Sequence, residues 1–291
     1  MVLDAKPPDF DRGNRPLFTG INPSDVGKYV IFTVRDPLHG YSKDAAEEIS
    51  DYLVNSRKIA DTKMFTTYSG FFENVLITVC STGSGAPELE LVLMDFIKWS
   101  TANTFIRVGT SGALQRFINI GDIVISTGAV RDEGTSGEYV AKSFPAISSF
   151  EVVLAMASAA EELKIPYHLG ITRSNDAIYV GEGRPAKNYL QELQKFIPNY
   201  WEKAGVLNVE RETSLLLTLC NIFNKRGGAV CTIVDNELTG EVGVGAGKKD
   251  SILVALKGLS KLARWDKAKE QNGKRYLDEK TILVASEEGQ P

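Results

Sequence analysis

Histidine and cysteine are scarce in this chain. With only His39 and His168 in 291 residues, a histidine-based zinc site is not expected, and no other metal site is either. The three cysteines, Cys80, Cys220 and Cys231, sit in apolar runs without metal spacing. They read as buried thiols of a reducing, cytoplasmic compartment rather than as a disulfide framework. No apolar stretch approaches the roughly 18 residues of a membrane span, so no membrane partner is expected. Residues 1–16 are polar and contain prolines, with no apolar signal core. Clusters of Lys and Arg are also missing, and the formal net charge is -4. Both argue against a nucleic-acid surface.

What is present is a large apolar share, 43%, enough for a sizeable core. Short apolar runs predict strands at 29–34, 75–79, 104–108, 122–126, 167–172, 206–209 and 229–234. Helical periodicity predicts helices at 42–55, 88–100, 150–163, 185–196, 212–224 and 249–267. This alternation argues for an α/β fold with a largely parallel sheet buried on both faces. Sites in such folds cluster at strand ends. No repeat or linker divides the chain, so residues 1–291 read as one domain with a polar arm (about 1–16). The stretch 266–291 is charged except at 281–285 and is expected to be a loosely ordered tail.

The most informative stretch is 106–115, Ile-Arg-Val-Gly-Thr-Ser-Gly-Ala-Leu-Gln. A buried run is expected to stop at Gly109-Thr110-Ser111-Gly112, in a tight turn that offers hydroxyls and backbone N–H groups. Arg107 adds a guanidinium beside those donors, the chemistry an oxyanion needs. The same four residues also suit an ordinary strand-to-helix turn. A similar strand end occurs at Cys80-Ser81-Thr82-Gly83-Ser84-Gly85, and Gly121-Asp122-Ile123-Val124 opens a further strand. Together with Phe65-Thr66-Thr67, Gly181-Glu182-Gly183-Arg184 and Asn208-Val209-Glu210-Arg211-Glu212, these stretches resemble the uridine phosphorylase branch of the nucleoside phosphorylase family. The resemblance covers about 17–265. It implies a three-layer α/β/α sandwich with a central mixed sheet. It also implies reversible phosphorolysis of a pyrimidine nucleoside to free base and ribose 1-phosphate. Inorganic phosphate is then the co-substrate, no cofactor is needed, and a homodimer or higher homo-oligomer completes the sites.

Glu210 and Glu212 stand at a strand-to-helix junction. Two carboxylates at this spacing accept hydrogen bonds from vicinal ribose hydroxyls. They equally suit the positive end of a helix macrodipole. By resemblance Glu212 holds the ribose and Glu210 supports it, and Arg211 replaces a methionine that packs beneath the sugar. Arg211 is expected to pair with Glu212 or to reach toward phosphate. In the 181–184 loop, Glu182 and Arg184 either face a pocket or merely close the loop as an ion pair. By resemblance Arg184 stabilises the departing base. Glu182 replaces a glutamine that reads the uracil edge, and an ionised carboxylate only accepts. Asp235-Asn236 stands where many members carry Asn-Arg, so Asn236 falls at a base-site position without the charge.

For phosphate, the resemblance points to Arg107 and Thr110, and to the strand end Arg35-Asp36-Pro37-Leu38-His39. Here Arg35 replaces a glycine and His39 an arginine. Lys63 falls where a neighbouring subunit contributes a cation, and Leu17-Phe18 where it contributes a histidine. The catalytic set implied is Arg107, Arg184 and Glu212. The altered positions leave a second reading, a weak or inactive paralogue that binds a ligand or partner. A third, a hydrolytic nucleosidase, would require Asp36 or Glu210 as the base.

Overall fold

The computed structural model describes residues 15–287, so residues 1–14 of the polar arm lie outside it. In chain order the strands are β1 (Tyr29–Val34), β2 (Val54–Asp61), β3 (Thr66–Phe72), β4 (Val75–Thr82), β5 (Thr104–Ala113), β6 (Ile123–Asp132), β7 (Ala146–Ile147), β8 (Tyr167–Asn175), β9 (Asn208–Glu210) and β10 (Arg226–Asn236). The helices are α1 (Ala45–Ser50), α2 (Ala86–Trp99), α3 (Thr135–Tyr139), α4 (Phe150–Leu163), α5 (Ile197–Lys203), α6 (Thr213–Ile222), α7 (Lys248–Gln271) and α8 (Glu279–Glu287). No helix among the described residues is long and apolar enough to cross a membrane.

β1 explains the layering. It is buried throughout, and its β-branched and aromatic side chains alternate between two cores. Tyr29 and Ile31 point into the layer of α1, α4 and α7, whereas Val30 and Phe32 meet α2 and α6. Phe32 packs edge-on against Phe96 and stacks on Phe105. Helices therefore cover both faces of one sheet. β1 is parallel to both β4 and β5, and β5 is parallel to β10. Beyond β10 the pairing runs through β6, β8 and β9, and β9 returns antiparallel onto β5. That part of the sheet closes on itself, which gathers several strand ends around one rim.

The sheet is mixed, as the family resemblance implies, and not largely parallel as the alternation suggests. β2 and β3 add an antiparallel hairpin on β4 that periodicity missed, because β2 is mostly exposed and shows no buried alternation. The helix expected at 185–196 does not form. Lys187 takes a φ of 58°, and a short 3-10 turn at Glu192–Phe196 precedes α5. The charged stretch from residue 266 is helical in large part. α7 runs to Gln271, and α8 follows at Glu279–Glu287.

Residue 266 has a reason to be ordered. Arg226, at the start of β10, donates to both oxygens of Asp266 at 2.7 and 2.5 Å, and the Tyr29 hydroxyl donates to the same carboxylate at 2.7 Å. Lys269 lies 2.5 Å from Glu151 and 3.0 Å from Asp266. This network ties α7 and α4 to the N-terminal ends of β1 and β10. Asp266→Ala leaves Arg226 without its bidentate partner and is expected to cost about 3 kcal/mol. A urea titration should show a lower midpoint with an unchanged slope. The C-terminal ends of these strands should be undisturbed, since Asp266 acts at their N-terminal ends.

Candidate active site

The C-terminal ends of β1, β5 and β10, together with β9 and the loop after β8, line one cleft, with Arg107 of β5 in its lining. The sequence suggested that β5 stops at Gly109. Instead the strand runs on to Ala113, buried throughout, with Thr110 paired to Thr232 of β10. The expected tight turn is thus a continuous strand. Gly109 matters for another reason. A Cβ there would lie 2.8 Å from Nη1 of Arg107, so the missing side chain makes room for the guanidinium to fold back along its own strand.

Arg107 is almost fully buried and held on several sides. Nε lies 2.8 Å from Glu212 and 2.9 Å from Glu210, and Nη2 lies 2.6 Å from Glu212. Nη1 donates to the Cys231 sulfur at 2.8 Å. Glu210 accepts from the backbone N–H groups of Glu212 and Thr213, both at 2.9 Å, so it caps α6 and also faces Arg107. Of the two readings of this carboxylate pair, Glu210 shows the one at the start of a helix. Glu212 also accepts from the N–H of Gly85, which opens α2 with a φ of 105°. Burial pushes the Glu212 carboxyl above its usual range while Arg107 draws it back. Arg211 does not pair with Glu212. Its guanidinium spans the cleft wall, donating to Ser84 Oγ at 3.0 Å and to the Asp176 carbonyl at 2.9 Å.

Three of the six phosphate candidates line the cleft: Arg107, Thr110 and Asp36. The Thr110 hydroxyl donates to Asp36, which also caps a short turn through the N–H of Leu38. The other three lie outside the lining. Arg35 swings away to Asp44, the Met64 carbonyl and Thr66. Its guanidinium is therefore committed away from the cleft. His39 is wholly buried, edge-on to Tyr41, with no hydrogen bond on either ring nitrogen. Burial, aided by the charges of Arg107 and Lys248, holds it down to about 3, so it is neutral and is no anion clamp. Lys63 is exposed on the β2–β3 turn. His39→Phe, a change of similar volume, is expected to shift the phosphate KM by less than about twofold. Phosphate saturation curves check this.

At the other end of the cleft, Glu182 closes a 3-10 turn, and Gly183, with a φ of 80°, redirects the chain so that Arg184 enters the pocket. Arg184 donates to Asp235 and to Glu237, and Glu182 lies 3.5 Å from it. Arg173 anchors this loop by donating to Asp132 and to the Gly181 carbonyl. Asn236 faces the other way. Its amide donates to the carbonyls of Gln115 and Ile118, and its oxygen accepts from Leu238 and Thr239, so it shapes a loop and reads no base. A register shift between Ile233 and Asp235 sets this. It places Asp235 opposite Gly112, where the absence of a Cβ leaves room for both Asp235 and Glu237. Sequence reading passed over Asp235 and Glu237 as site residues. The only signal was the carboxylate at 235 in the strand-end pair.

Arg107, Glu212 and Arg184, from three separate chain segments, thus line one polar cleft on a curled mixed sheet, which suits a nucleoside-handling enzyme. Residues 30–262 match the Phosphorylase superfamily, and the chain belongs to it. Within that superfamily it falls in the uridine phosphorylase branch. It is 41% identical to the uridine phosphorylase of Thermococcus kodakarensis, over 94% of this chain and 95% of that protein. The uridine phosphorylase of Escherichia coli is 31% identical over 68% of this chain and 79% of its own length. A guanosine phosphorylase of Halorubrum lacusprofundi is 29% identical over 67% of this chain and 75% of its own. The activity of the chain is accordingly nucleoside phosphorolysis, that of a pentosyltransferase.

Proposed function

We propose that the chain cleaves uridine and related pyrimidine nucleosides, with inorganic phosphate as co-substrate and no other cofactor. The observation that carries this is the convergence of Arg107, Glu212 and Arg184 on one cleft, with phosphate, ribose and base roles in that order. Phosphate sits against Arg107 and Thr110. Glu212 accepts from the ribose hydroxyls, and Glu210, capping α6, keeps it in position. A phosphate oxygen attacks the anomeric carbon as its bond to the base breaks, and that bond's electron pair leaves with the base. Positive charge on the sugar is met by phosphate and Glu212, so catalysis is alignment plus electrostatics.

The hydrolytic reading loses its bases. Asp36 is engaged by Thr110 and Leu38, and Glu210 by the start of α6. Of the five altered positions behind the inactive-paralogue reading, Arg35, His39 and Asn236 lie outside the cleft lining, and only Glu182 and Arg211 lie within it. A homodimer is the minimal unit in this reading, working in the cytoplasm with Cys80, Cys220 and Cys231 free and buried. The two segments expected to reach a partner's cleft are neighbours, because the Thr62 hydroxyl beside Lys63 donates to the Phe18 carbonyl at 2.7 Å. Uridine cleavage assayed with and without phosphate tests the function. Uracil release should require phosphate and yield equal ribose 1-phosphate. Release at the same rate without phosphate would point to hydrolysis, and no release from any nucleoside would point to a binding protein.

A further inference from the structure

The base end of the cleft holds more negative charge than its cation balances. Asp235 and Glu237 both accept from Nη2 of Arg184, and Glu182 approaches that same nitrogen from 3.5 Å. Glu182 and Glu237 are only 7% and 4% exposed. Arg173 of β8 also acts on Glu182, but it already serves Asp132 of β6 and the Gly181 carbonyl. Three carboxyls around one guanidinium in a buried pocket relieve their repulsion by keeping a proton. Glu182 is held least closely of the three, so the proton belongs there.

We propose that Glu182 reads the base as a carboxylic acid, its O–H donating and its C=O accepting, with Asp235 and Glu237 maintaining that state as positioning residues. The inference rests on the phosphorolysis reading and specifies how that cleft recognises a base. In the acid form Glu182 presents the same donor–acceptor pair as a primary amide. It then matches the adjacent C=O and N–H of a uracil edge, and the expected clash with a uracil carbonyl disappears. Ionised, it presents two acceptors and suits a base with two adjacent N–H donors, such as a guanine edge. Base preference is therefore coupled to pH. Burial first, then Glu237, push Glu182 up to about 8 against the pull of Arg184, and burial pushes Glu237 up to about 7.

The experiment measures kcat/KM for uridine and for guanosine across pH, in the natural chain, Glu182→Gln and Glu237→Gln. For uridine the natural chain should stay level and then fall about tenfold per pH unit above the Glu182 transition. Glu182→Gln presents a donor and an acceptor to the base at every pH, so the shape of its profile is what is read. That variant should keep only the fall due to the substrate's own ionisation. Glu237→Gln removes a neighbouring negative charge and should bring the fall to lower pH. Guanosine cleavage should rise where uridine cleavage falls. A Glu182→Gln profile that superimposes on the natural one would overturn the proposal. Carbon NMR of labelled glutamate carboxyls, together with uracil affinity across pH, gives a readout independent of turnover. A neutral-range titration that is absent in Glu182→Gln supports the proposal, and no such titration overturns it. Loss of all phosphate-dependent cleavage in the natural chain would instead end the functional reading, and the NMR arm would still decide the state of Glu182. Stability supplies a further arm. The folded pKa lies above the ordinary 4.5, so the stabilisation is complete below that value and is lost as pH rises through about 8. Glu182→Gln should therefore unfold later than the natural chain above that pH.

Discussion

Arg107→Met is expected to lower kcat/KM for phosphorolysis by about a thousandfold, the largest loss from any single change in the cleft. The guanidinium contacts both Glu210 and Glu212, and it donates to the carbonyl of Thr110. Its removal withdraws charge from the incoming phosphate. It also leaves Glu210 and Glu212 as two buried carboxylates 2 residues apart in the chain with nothing between them, where like charges repel at short range. Stability should drop as well, by about 3–5 kcal/mol. The drop should be smaller in acid, where the freed carboxyls are protonated. Steady-state kinetics in phosphate buffer and urea unfolding at two pH values check both parts. Turnover within tenfold of the natural chain would remove Arg107 from the catalytic set. Arg107→Lys should recover folding better than activity, because an ammonium is a point charge without the fork that spans Glu210, Glu212 and Cys231.

Glu212→Gln is the second large effect, expected to cost about 3 kcal/mol of transition-state stabilisation, or about a hundredfold in kcat/KM. The carboxylate accepts from Arg107 and from the Gly85 N–H, and the proposed function adds the ribose hydroxyls as donors. An amide presents an NH2 to at least one of these donors, and donor facing donor is repulsive. A ribose-specific comparison separates this role from a general weakening. The natural chain should prefer uridine to 2′-deoxyuridine, and the preference should largely vanish in Glu212→Gln. If the variant keeps the natural preference, Glu212 supports Arg107 and does not touch the sugar.

Strands and helices were legible wherever one burial pattern held along an element. β1 and α4 fall where periodicity places them, because β1 alternates between two cores and α4 presents one apolar face. Legibility failed where burial was absent or polar. β2 is exposed, and β5 carries Thr110, Ser111 and Gly112 into the cleft, so its apolar run ends before the strand does.

The sequence by itself determined the family and the α/β class, and it singled out Arg107, Glu212 and Arg184. Residue types in short motifs are local facts, and local patterns carry them. Only the tertiary structure decided which neighbours those groups meet. It turned Arg35 outward and buried His39 without a partner, although both were read as phosphate ligands. It shifted the register of β10, so that Asp235 and Glu237 rather than Asn236 reach Arg184. The physical reason is that a side chain's charge state and partners depend on burial and on groups far away in the chain. Glu210 meets Arg107, and Glu182 meets Glu237, only after the sheet has closed.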